Sequence, residues 1–232
     1  MVLHFIKIAF RNLWKYKSQS LISVIGLAVG FTCFALATLW IRYEMTYDDF
    51  HKNAGQKYLV YRSTSSQAGS SSFTPLALGT YLKETFPEIV NAAWLTPNLG
   101  GNTVTVNGMV SPALLIRTDS SFFRIFNVKI LEGSPEFLFP DSRKVAITRK
   151  KARQLFGKEQ PIGKTVQIGS YEYTICAVVS EMSKQSNYPF DFIQPFRSDS
   201  WNPRSSWLLI DAINTIIELL PGTDIAAFEK KL

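Results

Sequence analysis

Several things that would announce a chemistry are scarce or missing from this sequence. There are two cysteines and two histidines in 232 residues. Cys33 lies in an apolar run and Cys176 far downstream in a predicted strand, so no disulfide framework is expected. His4 and His51 are separated by that run, and only Asp48, Asp49 and His51 stand close together. Three such groups in one turn read as a solvated connection, because a metal site needs clustered ligands on a fixed frame. No Gly-x-Ser-x-Gly elbow is present to hold a nucleophile. Gly163-Lys164-Thr165 resembles the end of a phosphate loop, but Gly157 precedes Gly163 by five residues where four are required. A helix is also predicted before that segment and a strand after it, the reverse of the phosphate-loop order. The residues predict neither ATP binding nor enzyme activity by this chain, and no cofactor.

Charge is missing from one long stretch. Ser18 to Ile41 is 24 residues without a charged side chain. As a helix this run is about 36 Å long, enough to cross a hydrocarbon core of roughly 30 Å. A cleaved signal peptide would have a hydrophobic region of about 7–15 residues and a small-x-small cleavage site. Here the run leaves instead through Trp40, Ile41, Arg42, Tyr43 and Glu44. Trp40 and Tyr43 suit the membrane–water interface, where an amphipathic ring keeps one edge wet. The segment is therefore predicted to be an uncleaved transmembrane helix over residues 18–41.

Acid is missing from the first 17 residues, which hold Lys7, Arg11, Lys15 and Lys17. These four cations account for more than half of the net charge of +7; residues 42–232 carry 21 basic and 18 acidic side chains. The excess reads as a topology signal rather than a nucleic-acid surface, since positive charge accumulates on the cytoplasmic flank of a span. Leu3, Ile6, Phe10, Leu13 and Trp14 recur three and four apart, with Lys7, Arg11 and Lys15 on every fourth position. Residues 1–17 are thus predicted to be a cytoplasmic amphipathic helix on the membrane surface, held by lipid headgroups. Residues 42–232 are predicted to be extracytoplasmic.

The 191 residues after the span are long enough for a core of their own. Tyr58–Ser63 is β-branched and aromatic, a strand; residues 64–72 are Ser/Gly/Gln-rich, a loop. Thr74-Pro75 is predicted to open a helix through Phe86, with Thr74 as cap and Pro87 beyond its end. Asn107-Gly108 suits a two-residue hairpin turn between Val104–Val106 and Met109–Val110. Asp119–Phe126 reads as a short capped helix. Lys144–Thr148 is predicted as a strand, then a helix capped by Thr148 and ended by Gly157. On that helix Ala152, Leu155 and Phe156 share one face, which leaves Arg149, Lys150, Lys151 and Arg153 as the solvated side. Lys164–Ile168 and Tyr171–Ser180 flank a Gly169-Ser170 turn, and Thr215–Leu220 forms a further strand. Strands and helices mix without strict alternation, so the fold class is α+β.

The order of these segments resembles the MacB/FtsX-type permeases of ABC transporters. The resemblance begins at Ala9-Phe-Arg-Asn-Leu-Trp-Lys-Tyr-Lys17 and continues at Tyr47-Asp-Asp-Phe-His-Lys-Asn53 and Tyr58-x-x-Tyr61-Arg62. It goes on through Pro75-Leu-x-Leu78 and Leu82-Lys-x-x-Phe-Pro-Glu88. It is most specific over Val145-Ala-Ile-Thr148, Ala152-x-x-Leu-Phe-Gly157, Pro161-Ile-Gly-Lys164 and Tyr173–Val179. The resemblance implies a span in the inner membrane, followed by a MacB-like periplasmic core domain over residues 42–232. It implies a homodimer or heterodimer of permeases, a cytoplasmic ABC ATPase subunit, and a periplasmic adaptor as partners. ATP hydrolysis in the ATPase would drive periplasmic movement for export or signalling. No second hydrophobic stretch of about 20 residues follows, so the family's other spans and coupling helix are not in this sequence. The core domain is expected to be incomplete at its C-terminus. The alternative from another class is a single-span membrane-anchored sensor or interaction domain.

Reporter fusions at residue 60 test the topology: activity is expected only outside the cytoplasm. Neutralising Lys7, Arg11, Lys15 and Lys17 together should weaken that preference, and cytoplasmic activity of the unmodified fusion would reverse the assignment.

Overall fold

The structure is a computed structural model, and it describes residues 2–45, 53–64, 69–97, 100–183, 186–195, 207 and 213–232. The chain divides into two compact units, Met1–Tyr47 and Asp48–Leu232.

The first unit is two helices, α1 (Val2–Lys15) and α2 (Lys17–Met45). Lys7, Arg11, Lys15 and Lys17 are all exposed. The α2 helix has a mean hydropathy of 2.2 in its most apolar window and buries none of its residues. By length and composition it can cross a membrane. Its two threonine hydroxyls are satisfied within the helix: Thr32 Oγ1 donates to Ala28 O at 2.8 Å and Thr38 Oγ1 to Phe34 O at 2.9 Å. That arrangement lets a hydroxyl sit in hydrocarbon without an orphan donor. The helix continues beyond the predicted limit at Ile41 through Arg42–Met45, where no glycine or proline stops it. Trp40 and Tyr43 stand one turn apart with ring centroids at 6.5 Å.

The second unit is α+β, as the sequence predicts. Its larger sheet has eight strands. In spatial order the path is β6 (Met109–Pro112), β5 (Thr103–Val106), β10 (Thr165–Ile168), β11 (Tyr171–Val179), β9 (Lys144–Thr148), β12 (Phe192–Gln194) and β7 (Leu115–Arg117); β8 (Ile130–Gly133) pairs with β11 off that path. At its centre β9 and β11 run parallel, Val145 opposite Ile175 and Ile147 opposite Val178. Both are buried on both faces, which is why they read as unbroken apolar runs rather than alternating ones. The predicted connection between them holds. Thr148 Oγ1 caps α5 (Arg149–Phe156) by accepting Lys151 N–H at 3.2 Å, and Gly157 ends it at φ 64°. Asn107 and Gly108 take positive φ in the β5–β6 turn, and Gly169 does so between β10 and β11.

A smaller sheet has the order β1 (Lys57–Leu59), β13 (Asn214–Leu219), β4 (Ile89–Leu95), all antiparallel. One face packs on the larger sheet: Ala93, Leu95 and Ile216 share a cluster with Ile116, Ala146, Val179 and Ile193. Phe122 and Ile125 of α4 (Ser120–Ile125) fill the same cluster. The other face carries Ile89, Ile217 and Leu219 against Leu82 of α3 (Leu78–Thr85) and Phe228 of α6 (Ile225–Glu229). The Phe86 and Phe228 rings meet edge to face at 5.6 Å. On the far side of the larger sheet, Ala152 and Phe156 of α5 cover Val104, Val166 and Ile175.

Three predicted details are corrected. Tyr58–Ser63 is not one strand: β1 stops at Leu59, and Arg62–Thr64 (β2) pairs with Gly69–Ser71 (β3) in a separate hairpin. The predicted 64–72 loop thus contains a strand. Thr74 does not cap α3; its hydroxyl is buried at 2.7 Å from Thr215 Oγ1, and the helix begins three residues beyond Pro75. A long-range pairing to β13 captured the cap residue. The Asp48, Asp49 and His51 group lies outside the described residues.

Gly133 ends β8 at φ +87°, and a Cβ there would overlap the carbonyl oxygen of Cys176. Gly133→Ala is expected to destabilise the domain by roughly 3 kcal/mol through combined backbone strain and overlap. Thermal unfolding should show a drop of several degrees, and an unchanged Tm would refute the close approach.

Candidate functional site

Among the described residues no three His, Cys, Asp or Glu side chains gather in a metal-binding group. Lys164, the lysine of the phosphate-loop-like segment, is ion-paired with Glu159 and stands 4.9 Å above the Phe156 ring. The Gly163 N–H is donated to Ile175 O at 2.8 Å. That segment is thus bound into the sheet. Cys33 and Cys176 are both free thiols, and burial pushes the Cys176 thiol upward.

The charged chemistry of the domain sits elsewhere. The sequence places Lys151 on the solvated face of α5, but the structure buries it to 3% exposure. Its Nζ donates to Pro112 O at 2.5 Å and lies 3.3 Å from Ser111 Oγ and 3.7 Å from Asp191 Oδ2. The same Asp191 oxygen accepts the Leu114 N–H at 3.0 Å. One ammonium thereby ties α5 to β6 and to the residue that leads into β12. Three positions carry the apolar face of an eight-residue helix, and a fourth with a long stem can reach the sheet only because β6 leaves a carbonyl free. No periodicity shows that.

A second, half-buried charge lies next to the residues where the two sheets meet. Thr118 bridges Leu95 of β4, and its Oγ1 donates to Trp94 O at 2.6 Å. Arg117 N–H donates to Thr96 Oγ1 at 2.8 Å, and Thr96 N–H to Arg117 O at 2.9 Å. Next along the chain, Asp119 Oδ1 accepts Ser121 N–H at 3.0 Å and Phe122 N–H at 3.2 Å, capping α4. Burial pushes the Asp119 carboxyl up to about 6, against the opposing pull of the backbone N–H groups of Phe122, Trp94 and Ser121. The sequence shows the cap; it does not show that the cap follows directly on the residues joining the two sheets.

A groove of about 850 Å³ lies on the outer face of the smaller sheet. Tyr58, Val60, Leu78, Phe86, Leu219 and Phe228 make it chiefly apolar, with Arg62, Glu229 and Lys231 among its polar groups.

An α+β domain built on two stacked sheets follows an apolar helix of membrane length, and together they define the class: a domain carried on a helix that can cross a membrane. The chain belongs to the MacB-like periplasmic core domain family, which matches residues 20–232. Solved structures agree in fold. A domain assigned to a permease from Porphyromonas gingivalis superposes with a TM-score of 0.64 at 18% identity, covering 76% of this chain and 81% of that one. The periplasmic region of MacB from Actinobacillus actinomycetemcomitans gives 0.53 at 14% identity, covering 76% and 80%. The extracellular domain of the noncanonic ABC-type transporter YknZ from Gram-positive bacteria gives 0.53 at 18% identity, covering 73% and 86%. No protein of curated function matches the chain by sequence. The family resemblance and the α+β class read from the sequence therefore hold.

The raised Asp119 value has a definite sign. A carboxyl that binds its proton more tightly folded than unfolded adds stability below the unfolded value near 4, and that contribution is lost as pH rises through about 6. Two units correspond to about 3 kcal/mol at most. Asp119→Asn keeps an acceptor for the α4 cap and removes the titration. Denaturant unfolding from pH 4 to 7 should show a flatter profile for Asp119→Asn than for the parent; superimposable profiles would refute the assignment.

Proposed function

We propose that this chain is the permease part of an ABC transporter that links a cytoplasmic ATPase to movement of the periplasmic domain. The observation that carries this reading is the family match over residues 20–232, which includes most of α2 as well as the domain. In this reading the N-terminus is cytoplasmic. Lys7, Arg11, Lys15 and Lys17 hold the inner flank against anionic headgroups, and Trp40 and Tyr43 mark the outer interface. A second permease copy or a paralogue completes the pair, and an adaptor meets the domain outside. The domain then works by contact and force, with ATP hydrolysis left to the partner subunit.

Eleven residues, 46–56, join α2 to β1, and β1 is hydrogen-bonded into the smaller sheet through β13. In this reading a tilt or rotation of the helix is passed to the sheet through that junction. Six Gly/Ser residues inserted between Met45 and Tyr47, in the permease assembled with its ATPase, should leave ATP hydrolysis near the parent level and reduce export or signalling several-fold. Unchanged transport would rule out rigid coupling through this junction. The sensor alternative predicts no effect of the chain on an ATPase at all.

A further inference from the structure

The strand path of the larger sheet begins at β6 and ends at β7, yet those two strands are consecutive in the chain. Only Ala113 and Leu114 lie between Pro112 of β6 and Leu115 of β7. Laid flat at about 4.8 Å per strand, the path would put its two edges about 29 Å apart. The three Cα steps from Pro112 to Leu115 span at most about 11 Å. The sheet therefore curls until its edges meet. Residues 109–117 act as one bent strand, paired with β5 by its first half and with β12 by its second. That strand, β5, β10, β11, β9 and β12 form a closed ring. Ala113, Val104, Val166, Ile175, Ile147 and Phe192, one residue from each member, share a single buried cluster with Ala152 and Phe156 of α5.

A strand that changes partners leaves a seam. Asn107-Gly108 is a two-residue turn, so Met109, Ser111 and Ala113 exchange bonds with the β5 side while Pro112 and Leu114 face away from it. The Ala113 N–H keeps to this alternation, donating to Asn102 O at 3.0 Å. The Pro112 carbonyl and the Leu114 N–H point across the seam at a place where the β12 ladder has not yet begun. Two side chains take them up. Lys151 Nζ donates to Pro112 O at 2.5 Å, and Asp191 Oδ2 accepts the Leu114 N–H at 3.0 Å. The two charges are 3.7 Å apart, and the lysine side chain is only 4% exposed. Carbonyl, ammonium, carboxylate and N–H thus bridge the gap that the backbone leaves.

We propose that Lys151 is the bolt of a closed barrel, and that the seam it holds is where the larger sheet opens. The β5–β6 hairpin meets β10 through two residue pairs, Thr105–Gln167 and Val104–Ile168. On its other side it runs into the seam. Released there, the hairpin hinges on those two pairs, while β9 and β11 stay joined by five. Its far end carries Met109 and Val110, 69% and 67% exposed, so the swing displaces an apolar tip. Because the bolt belongs to α5, a shift of that helix draws it. The inference rests on sheet closure and one ion pair, and stands whether or not the chain works with an ATPase.

Residue-resolved hydrogen exchange on the 232-residue chain in detergent micelles tests it. The Ile175 N–H, which donates to Lys164 O at 2.9 Å, is the reference inside the ring. In the unmodified chain Ala113 and Leu114 should exchange at least tenfold faster than Ile175, with a weaker dependence on added urea, as a local opening requires. Equal rates with equal urea dependence would overturn the proposal. Lys151→Met keeps an apolar stem and removes the ammonium. It should speed Ala113 and Leu114 at least a further tenfold relative to Ile175; acceleration of all three alike would mean a general loss of stability and no seam. Adding Asp191→Asn to Lys151→Met leaves no unpaired carboxylate, so the double variant should melt above the single one. A double variant that melts no higher would show that the two charges do not act together, and would overturn the bolt. If Lys151→Met alone does not fold, a folded double variant supports the pairing, and the rates in the unmodified chain decide the seam.

Discussion

The β9–β11 pair sets the terms for the rest of the domain. Two parallel strands that are apolar on both faces cannot be left open to water on either side. α5 covers one face; α4 and the smaller sheet cover the other. The smaller sheet then has its own outer face to bury, which calls for α3 and α6. Each layer exists because the layer before it has an uncovered apolar surface. The two sheets also meet directly at Thr118, whose hydroxyl and backbone both engage β4. This is why the burial of Asp119, one residue on, bears on the joint between the sheets and not only on a short helix.

The parts of the fold that were legible in the sequence are those whose causes are local. Asn107-Gly108, Gly157 and Gly169 sit where positive φ is required. Thr148 and Asp119 cap the helices that follow them, because a side-chain oxygen two or three residues upstream is what the first N–H groups need. The apolar span is legible for the same reason: 24 uncharged residues decide their solvent without help from anything distant. The most family-like string, Val145 to Val179, is in physical terms the central strand pair with its cap, helix stop and turn.

What was not legible depends on partners far along the chain. Thr74 has the sequence context of a helix cap, yet Thr215 takes its hydroxyl. Tyr58–Ser63 has the composition of one strand, yet its first half joins β13 and its second half a local hairpin. Lys151 shows the same thing in charge. A lysine in a run of basic residues reads as solvated until a carbonyl at Pro112 of β6 and a carboxylate at Asp191, just before β12, come within reach of its tip. Among the described residues, removing the Lys151 ammonium would leave the Asp191 carboxylate with the Leu114 N–H alone, and the cost of such an orphan commonly exceeds the worth of the pair.

The order of the chain through these layers has a mechanical consequence. The smaller sheet is built from both ends of the domain: β1 comes first and β13 nearly last, while the whole of the larger sheet is threaded between β4 and β13. Lys57 to Leu59 therefore lie against residues that the chain reaches only after completing the larger sheet. A displacement of β1 acts at once on β13, and through Ile216 and Leu95 on the cluster shared with Ile193 and Val179. The same sheet is hydrogen-bonded to the larger one through Thr96 and Trp94, which meet Arg117 and Thr118, so β4 is held at the end away from β1 by bonds that any sliding of one sheet over the other would have to break.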